Sequence, residues 1–221
     1  RAGGAGSATP EGVNMTTKER ITEEALTLFS VKGYKGTSVK SIADAVGIRD
    51  SSLYKHFRCK KDILDTVVQE MENRMSGLSF QVGLPSGKSC EAEAKAYGKL
   101  TVDGLRTLSR QIFLFYLKDD FASRFWKMAM MEQYHSPEIY TVYHRIFMDE
   151  SITYQTNLFR EMTRQGYFDS ADPQVMAINF YSPIFFLLTK YMAGPEKEDT
   201  ALALLDKQVT EFYRIYRNQN I

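Results

Sequence analysis

Apolar residues recur at helical spacing almost throughout the chain, and no segment alternates as a half-buried strand would. Ile21, Ala25, Leu28 and Phe29 form the first stripe and predict a helix from Thr17 to about Val31. Thr16 and Glu19 fit a capping box at its start. Gly33 is placed to end it and Gly36 to turn the chain. Ser38 to Val46 reads as a short helix capped by Thr37 or Ser38, with Ile42, Ala43 and Val46 facing inward. Gly47 falls where a tight turn needs a positive φ. A second short helix is expected from Asp50 to His56, with Leu53 and Phe57 inward. Two short helices joined by a glycine turn have the form of a helix-turn-helix. A further helix, from near Lys60 to about Met75, carries Ile63, Leu64, Val67 and Met71 on one face.

Ser76 to Ser89 holds Gly, Ser and Pro with little period and reads as a loop. Beyond it the pattern predicts helices over Glu91–Lys118, Asp119–Gln133, Pro137–Gln165, Pro173–Met192 and Pro195–Asn218, two of them ending at Gly166 and Gly194. The last two share a stripe that steps 3, 4, 3, 4: Ile178, Tyr181, Phe185, Leu188 and Met192, then Leu202, Leu205, Val209, Phe212 and Tyr216. Such paired stripes suit antiparallel packing. They serve equally as internal core or as the seam of a four-helix bundle between two copies across a two-fold axis. The expected fold class is all-α, with a three-helix head carrying the helix-turn-helix at residues 15–75 and a helical bundle at 76–221. Residues 1–14 read as a tag remnant or a disordered lead-in, with Met15 as the expected natural start.

The composition agrees with a folded chain: 43% hydrophobic, 25% charged and 13% aromatic over 221 residues. Two cysteines, Cys59 and Cys90, are too few for a disulfide framework and point to a reducing compartment, hence to the cytoplasm. The longest uncharged stretch, Pro173 to Thr189, contains Gln174, Asn179, Ser182 and Pro183, so no membrane span is expected. The net charge of +1 conceals a division: Thr16 to Asp62 holds ten Lys and Arg against six Asp and Glu, and the rest of the chain is net acidic. A basic head on an acidic body implies an anionic partner for the head alone.

Motifs for phosphate cradling, dinucleotide binding, zinc hydrolysis and serine nucleophiles are absent, and neither a metal nor a cofactor is expected. His56 and Cys59 are three apart but have no third group to orient them, and His135 and His144 are too far apart to share a helical turn as ligands. The head has more to offer. Lys40, Arg49, Lys55, Arg58, Lys60 and Lys61 cluster with Thr37, Ser38, Ser51, Ser52, Tyr54 and His56. Cations and hydroxyls of this kind hold phosphates, and the second short helix would enter the major groove with its first residues at base edges. Other classes consistent with the chain are a helical enzyme with an acidic partner, which lacks a catalytic constellation, and an architectural DNA binder without an effector.

The segment TSVKSIADAVGIRDSSLYKHFRCKKDIL, Thr37 to Leu64, resembles the DNA-binding head of the tetracycline-repressor (TetR) family. Its sharpest elements are Thr37-Ser38-Val39, Ile42-Ala43, Gly47-Ile48, Leu53-Tyr54, His56-Phe57 and Lys60. The resemblance implies a homodimer of all-helical subunits, a head that binds palindromic double-stranded operator DNA, and a body that dimerises through its last two helices and takes a small-molecule effector. By position, Ser38, Tyr54, His56 and Lys60 match phosphate contacts. Lys40, Asp50, Ser51, Ser52 and Lys55 match positions that reach bases or neighbouring phosphates, and Thr37 and Arg49 flank them. Arg49 stands where a Ser or Thr cap is usual. Asp50 replaces a neutral or basic residue; its carboxylate can accept from cytosine N4. Cys59 replaces a capping residue.

For the body, an excess of large, adaptable side chains between Leu100 and Phe185 suggests a cavity for a neutral or weakly polar effector. Candidate lining residues are Phe115, Trp126, Met131, Tyr134, Tyr143, His144, Phe147 and Tyr181. Candidate interface residues are Ile178, Tyr181, Phe185, Leu188, Leu205, Val209, Phe212 and Tyr216.

Overall fold

The computed structural model describes residues 15–83, 89–192 and 197–218, and among them the architecture is entirely helical. The expected lead-in at 1–14, the helix end at Gly194 and the helix start at Pro195 lie outside the described residues. Helix α1 runs Thr17–Gly36, entered through a capping box in which the Thr16 hydroxyl accepts from Glu19 N and the Glu19 carboxylate accepts from Thr16 N. The α-helix proper breaks at Gly33, whose φ of 76° and ψ of 161° belong almost solely to glycine. α2 (Val39–Val46) is capped by Ser38, and Gly47 turns the chain at φ 78°. α3 is only Asp50–Leu53, and the backbone then continues as tight turns through His56. Leu53 and Phe57 are buried.

α4 spans Lys60–Gln81, longer than its apolar stripe indicates. Ser76, Gly77 and Ser79, expected in a loop, carry it on past the apolar stripe, with Ser79 returning its hydroxyl to the Met75 carbonyl. The single helix expected over Glu91–Lys118 is two, α5 (Cys90–Gly98) and α6 (Val102–Lys118), with Thr101 capping the second. Gly98 is the last residue of the first of them. A Cβ there would lie 2.3 Å from the Tyr167 ring, so the chain passes that ring at a point only glycine can occupy and then turns. α7 covers Asp120–Glu132. Pro137–Gln165 is a continuous rod, but it changes pitch: α8 (Pro137–Tyr143), a π-helical turn (His144–Asp149) and α9 (Glu150–Arg164). α10 is Pro173–Tyr191 and α11 is Glu198–Tyr216.

Pro183 sits inside α10, where it cannot donate to the carbonyl of Asn179. Gln208 of α11 supplies the missing donor at 3.2 Å, so the proline fixes the pairing of the two helices as well as interrupting one of them.

Two hydrophobic clusters fill the molecule. The larger begins in the head with Ile21, Leu26, Ile42, Leu53 and Ile63, continues along α4, and reaches Phe113, Phe125 and Trp126 in the body. The smaller lies at the far end, around Phe159, Phe168, Met176 and Phe212. Polar links reinforce the join between head and body. Arg124 of α7 donates to the Glu23 carboxylate at 2.7 Å, Arg74 of α4 lies among Glu23, Glu70 and Asp119, and the Glu132 carboxylate accepts from Tyr34 N at 3.1 Å.

Candidate functional site

The head presents one face built from the start of α2 and from α3. Ser38 is exposed and caps α2; its Oγ accepts from Ser41 N at 3.0 Å. Lys40, Arg49, Asp50, Ser51, Lys55 and His56 are exposed, Ser52 is half-buried, and Tyr54 is 55% exposed. Arg49 starts α3 without a side-chain cap. Lys40, Arg49 and Lys55 have no carboxylate within ion-pair distance among the described residues, so their charge is open to a polyanion. The other cations of the sequence cluster are engaged. Arg58 grips Asp62 at 2.7 Å and holds its carboxyl below the usual range, and Lys61 pairs with Asp65 at 2.8 Å.

Two of the candidate DNA contacts turn inward. Thr37 is 1% exposed, and its hydroxyl donates to the Gly33 carbonyl at 2.8 Å. The Lys60 ammonium donates to the carbonyls of Tyr34 (2.8 Å) and Thr37 (2.9 Å) and sits 4.4 Å over the Tyr34 ring. Both residues tie the end of α1 to the start of α2 and of α4. They set the angle of the exposed face from beneath it.

The body is not packed solid. A cavity of about 260 Å³ lies on the seam between the two hydrophobic clusters. Its walls come from α4 (Met75, Ser79), α6 (Leu105, Ser109, Ile112), α9, α10 (Phe180, Tyr181, Ile184) and α11 (Phe212, Tyr213), with Tyr97 of α5 and Trp126 of α7. Along α9 the lining residues are Ser151, Tyr154, Gln155, Leu158, Phe159 and Met162, one continuous helical stripe. Burial pushes the Tyr97 and Tyr181 phenols up to about 12 and raises Tyr116 and Tyr154 as well, so all four are neutral hydrogen-bonding groups near pH 7. Tyr181 donates to the Phe147 carbonyl on the π-helical turn at 2.7 Å.

Of the candidate lining residues, the structure brings Trp126 and Tyr181 to the cavity. Phe147 and Tyr143 are core beside it: Phe147 packs edge-on against Trp126 at 4.8 Å and at a tilt against Tyr143 at 5.9 Å. Phe115 packs edge-on against Tyr116, and His144 lies against Tyr140 at 4.1 Å. Met131 (59% exposed) and Tyr134 (83% exposed) are on the surface at the end of α7. The aromatic-rich stretch mostly fills the larger cluster, while the more mixed stripe of α9 forms the wall.

The interface candidates divide in the same way. Leu205 and Val209 are fully buried within the subunit, Leu188 and Phe212 nearly so, and Phe185 packs on Trp126 at 5.0 Å. Tyr216 is half-buried and accepts from Asn179 Nδ2 through its hydroxyl. Tyr181 belongs to the cavity, and Ile178 alone is exposed. The stripe stepping 3, 4, 3, 4 is the strongest apolar face of each helix, and the subunit's own core takes it. The outward apolar side chains are Val175, Ile178 and Phe186 on α10 and Leu204 and Ile215 on α11.

The sequence profile described as "Bacterial regulatory proteins, tetR family" matches residues 21–67, the segment that builds α1, α2, α3 and the start of α4. Those residues, all within the head, are what is similar to the family's model. Among curated relatives, the biofilm operon HTH-type negative transcriptional regulator IcaR of Staphylococcus aureus is 48% identical over 52 residues, which is 24% of this chain. IcaR of Staphylococcus epidermidis is 41% identical over 56 residues. The chain therefore spans 28–30% of the length of these relatives. Solved structures carry the likeness over the whole fold. SmeT in complex with triclosan has a TM-score of 0.67 at 18% identity, covering 93% of each chain. The flavonoid-responsive regulator FrrA has a TM-score of 0.62 at 20% identity, covering 92% of this chain and 98% of the other. No described helix is long and apolar enough to cross a membrane.

Proposed function

We propose that this protein is a ligand-responsive transcriptional regulator, acting in the cytoplasm as a homodimeric repressor that leaves palindromic operator DNA when a small apolar or weakly polar effector binds its body. The observation that carries this reading is the apolar cavity, whose wall includes Met75 and Ser79 of α4, the helix that begins beneath the DNA-facing surface at Lys60. An effector that fits the cavity better in one setting of α4 than in another shifts the head by that difference in affinity. SmeT, of the same fold, is named as a multidrug efflux pump repressor and is solved with triclosan, which supports a cavity of this kind as an effector site. On the head, Ser38, Tyr54 and His56 would hold phosphates and Lys40, Asp50, Ser51, Ser52 and Lys55 would reach bases or adjoining phosphates, with Arg49 beside them.

A single short recognition helix reads few base pairs, so two copies are needed for adequate specificity. The outward faces of α10 and α11 supply the surface: Val175, Ile178 and Phe186 are exposed on one helix and Leu204 and Ile215 on the other. The test begins with selection of a binding sequence from random duplex DNA. The expected sequence is a palindrome with half-sites about one helical turn apart, and apolar compounds that shift the emission of Trp126 should release it. A selection that yields no enriched sequence would end the reading. Ile178→Glu with Phe186→Glu should give monomers by light scattering and weaken operator binding; a dimer that survives both would move the interface elsewhere.

A further inference from the structure

Most of the hydroxyls around the cavity already have partners in the protein. Tyr181 donates to the Phe147 carbonyl at 2.7 Å, Ser151 to the Ile146 carbonyl at 2.9 Å, Tyr116 to Met75 Sδ at 3.2 Å and Tyr213 to the Leu100 carbonyl at 3.4 Å. Gln155 differs. It lines the cavity from the middle of α9, and its Oε1 is buried with no donor in reach among the described residues. Two other buried oxygens on the described residues share that condition, Thr156 Oγ1 and Thr163 Oγ1, but neither residue lines the cavity. Buried polar atoms are nearly always satisfied, so an orphan in a ligand-sized apolar space is informative. A hydroxyl such as that of Ser109 accepts or donates and does not select a ligand's polarity. An amide oxygen only accepts.

The rest of the lining selects the ligand's body. Phe180 lies edge-on to both Phe159 (5.7 Å) and Phe212 (4.8 Å), and Trp126 faces the same space. Aromatic walls with edges and faces both on offer favour an aromatic guest. Among the described residues the lining has no carboxylate and one cation, Arg217, which donates to the Gly98 carbonyl at 2.7 Å and lies near the Tyr167 and Tyr213 rings. The volume is at the small end for a ligand site.

We propose that the effector is a compact, uncharged aromatic molecule bearing a hydrogen-bond donor, and that the Gln155 amide oxygen is the specificity-determining acceptor. This rests on the reading of the cavity as the effector site. Gln155 then costs the free protein stability and returns selectivity, the pattern expected of a functional polar group in an apolar wall.

The test compares four probes of one shape on the full chain by calorimetry, with Trp126 emission to locate them: propylbenzene, 4-propylphenol, 4-propylanisole and 4-propylbenzoate. The single tryptophan of the chain lines the cavity, so its signal reports occupancy directly. The phenol should bind about tenfold more tightly than propylbenzene, as one added buried hydrogen bond implies. The anisole, which cannot donate, should show no such gain. Gln155→Leu should reduce the phenol's advantage to about onefold while leaving propylbenzene affinity in place, and should raise the melting temperature of the free protein by about 3 °C. Gln155→Met keeps the side-chain length and carries the same expectation should the leucine variant fold poorly. Equal binding of phenol and hydrocarbon to the wild type, or a phenol advantage that survives both variants, overturns the role of Gln155. A preference for the anisole or the benzoate overturns the ligand class, the latter in favour of Arg217 as anchor. Failure of all four to bind would instead remove the effector reading of the cavity, and the proposal with it.

Discussion

The two ends of this molecule are packed on different terms. In the head, Ile21, Leu26, Ile42, Leu53 and Ile63 are fully buried aliphatics, and the same cluster runs without a break through α4 into the near half of the body. At the far end, Phe159, Phe168, Phe180 and Phe212 surround a space they do not fill. Branched aliphatics have few rotamers and give a rigid fit, whereas the far rings meet the mixed, partly polar stripe of α9 and leave a gap that a guest can complete. The break in the core is therefore not where the sequence changes charge. It lies inside the body, along the cavity, and α4 belongs to the rigid side. A ligand between the clusters would act on a wall that continues unbroken into the head.

This contrast can be tested by substitution at both ends. Leu53→Ala in the head should cost about 2–5 kcal/mol, as for a fully enclosed leucine. Leu158→Ala, equally buried but lining the cavity, should cost no more than about half as much, because part of its surface has no packing atoms to lose. Urea unfolding with unchanged m-values measures both; equal losses would mean that the far cluster is as tightly packed as the head.

Next in size is a difference within the head itself. Lys60→Met should destabilise the protein by about 1.5–3 kcal/mol, since its ammonium donates to two carbonyls. Lys55→Met should leave stability within about 0.5 kcal/mol and lower the salt dependence of DNA binding by about one phosphate contact. Thermal melts and a salt titration of operator binding separate the two. A Lys60 variant that melts normally yet loses affinity for every sequence would restore it to the phosphate-contacting set.

The smallest effect is expected at Asp50. Asp50→Asn leaves the fold unchanged and should alter the preferred base at one operator position, worth about 1–3 kcal/mol, read by repeating the sequence selection. An unchanged consensus would show that Asp50 does not reach a base.

Much of this was legible in the sequence because it rests on local rules. The capping box at Thr16, the positive φ at Gly33 and Gly47, and the inward set Ile42, Leu53 and Ile63 follow from spacing and glycine geometry. The site was less legible wherever tertiary contacts decide. Lys60 and Thr37 look like surface polar residues until the Gly33, Tyr34 and Thr37 carbonyls that they satisfy are seen. The stripes of α10 and α11 marked the apolar faces correctly, but periodicity does not say whether a neighbouring helix or a second subunit covers them. The wall of α9 was obscured because Ser151, Tyr154 and Gln155 dilute its apolar pattern. The helical spacing was present, and a search for stripes of mixed polarity would have found it.

The π-helical turn between α8 and α9 has a consequence for timing along the rod. Ile139 and Leu158 are both buried, as are Tyr143 and Met162, yet the members of each pair are nineteen positions apart. At about 100° per residue that separation leaves them about 100° out of phase in an unbroken α-helix. A π turn absorbs one residue. Eighteen effective steps make about five whole turns, and both pairs return to the same side of the rod. The turn works as a phase corrector, letting one long helix keep two inward faces whose sequence periods are offset by a single residue. Deleting one residue within His144–Asp149 should thus straighten the rod without rotating either half, whereas an insertion of one residue at Ser151 would swing Tyr154, Gln155 and Leu158 off the cavity together.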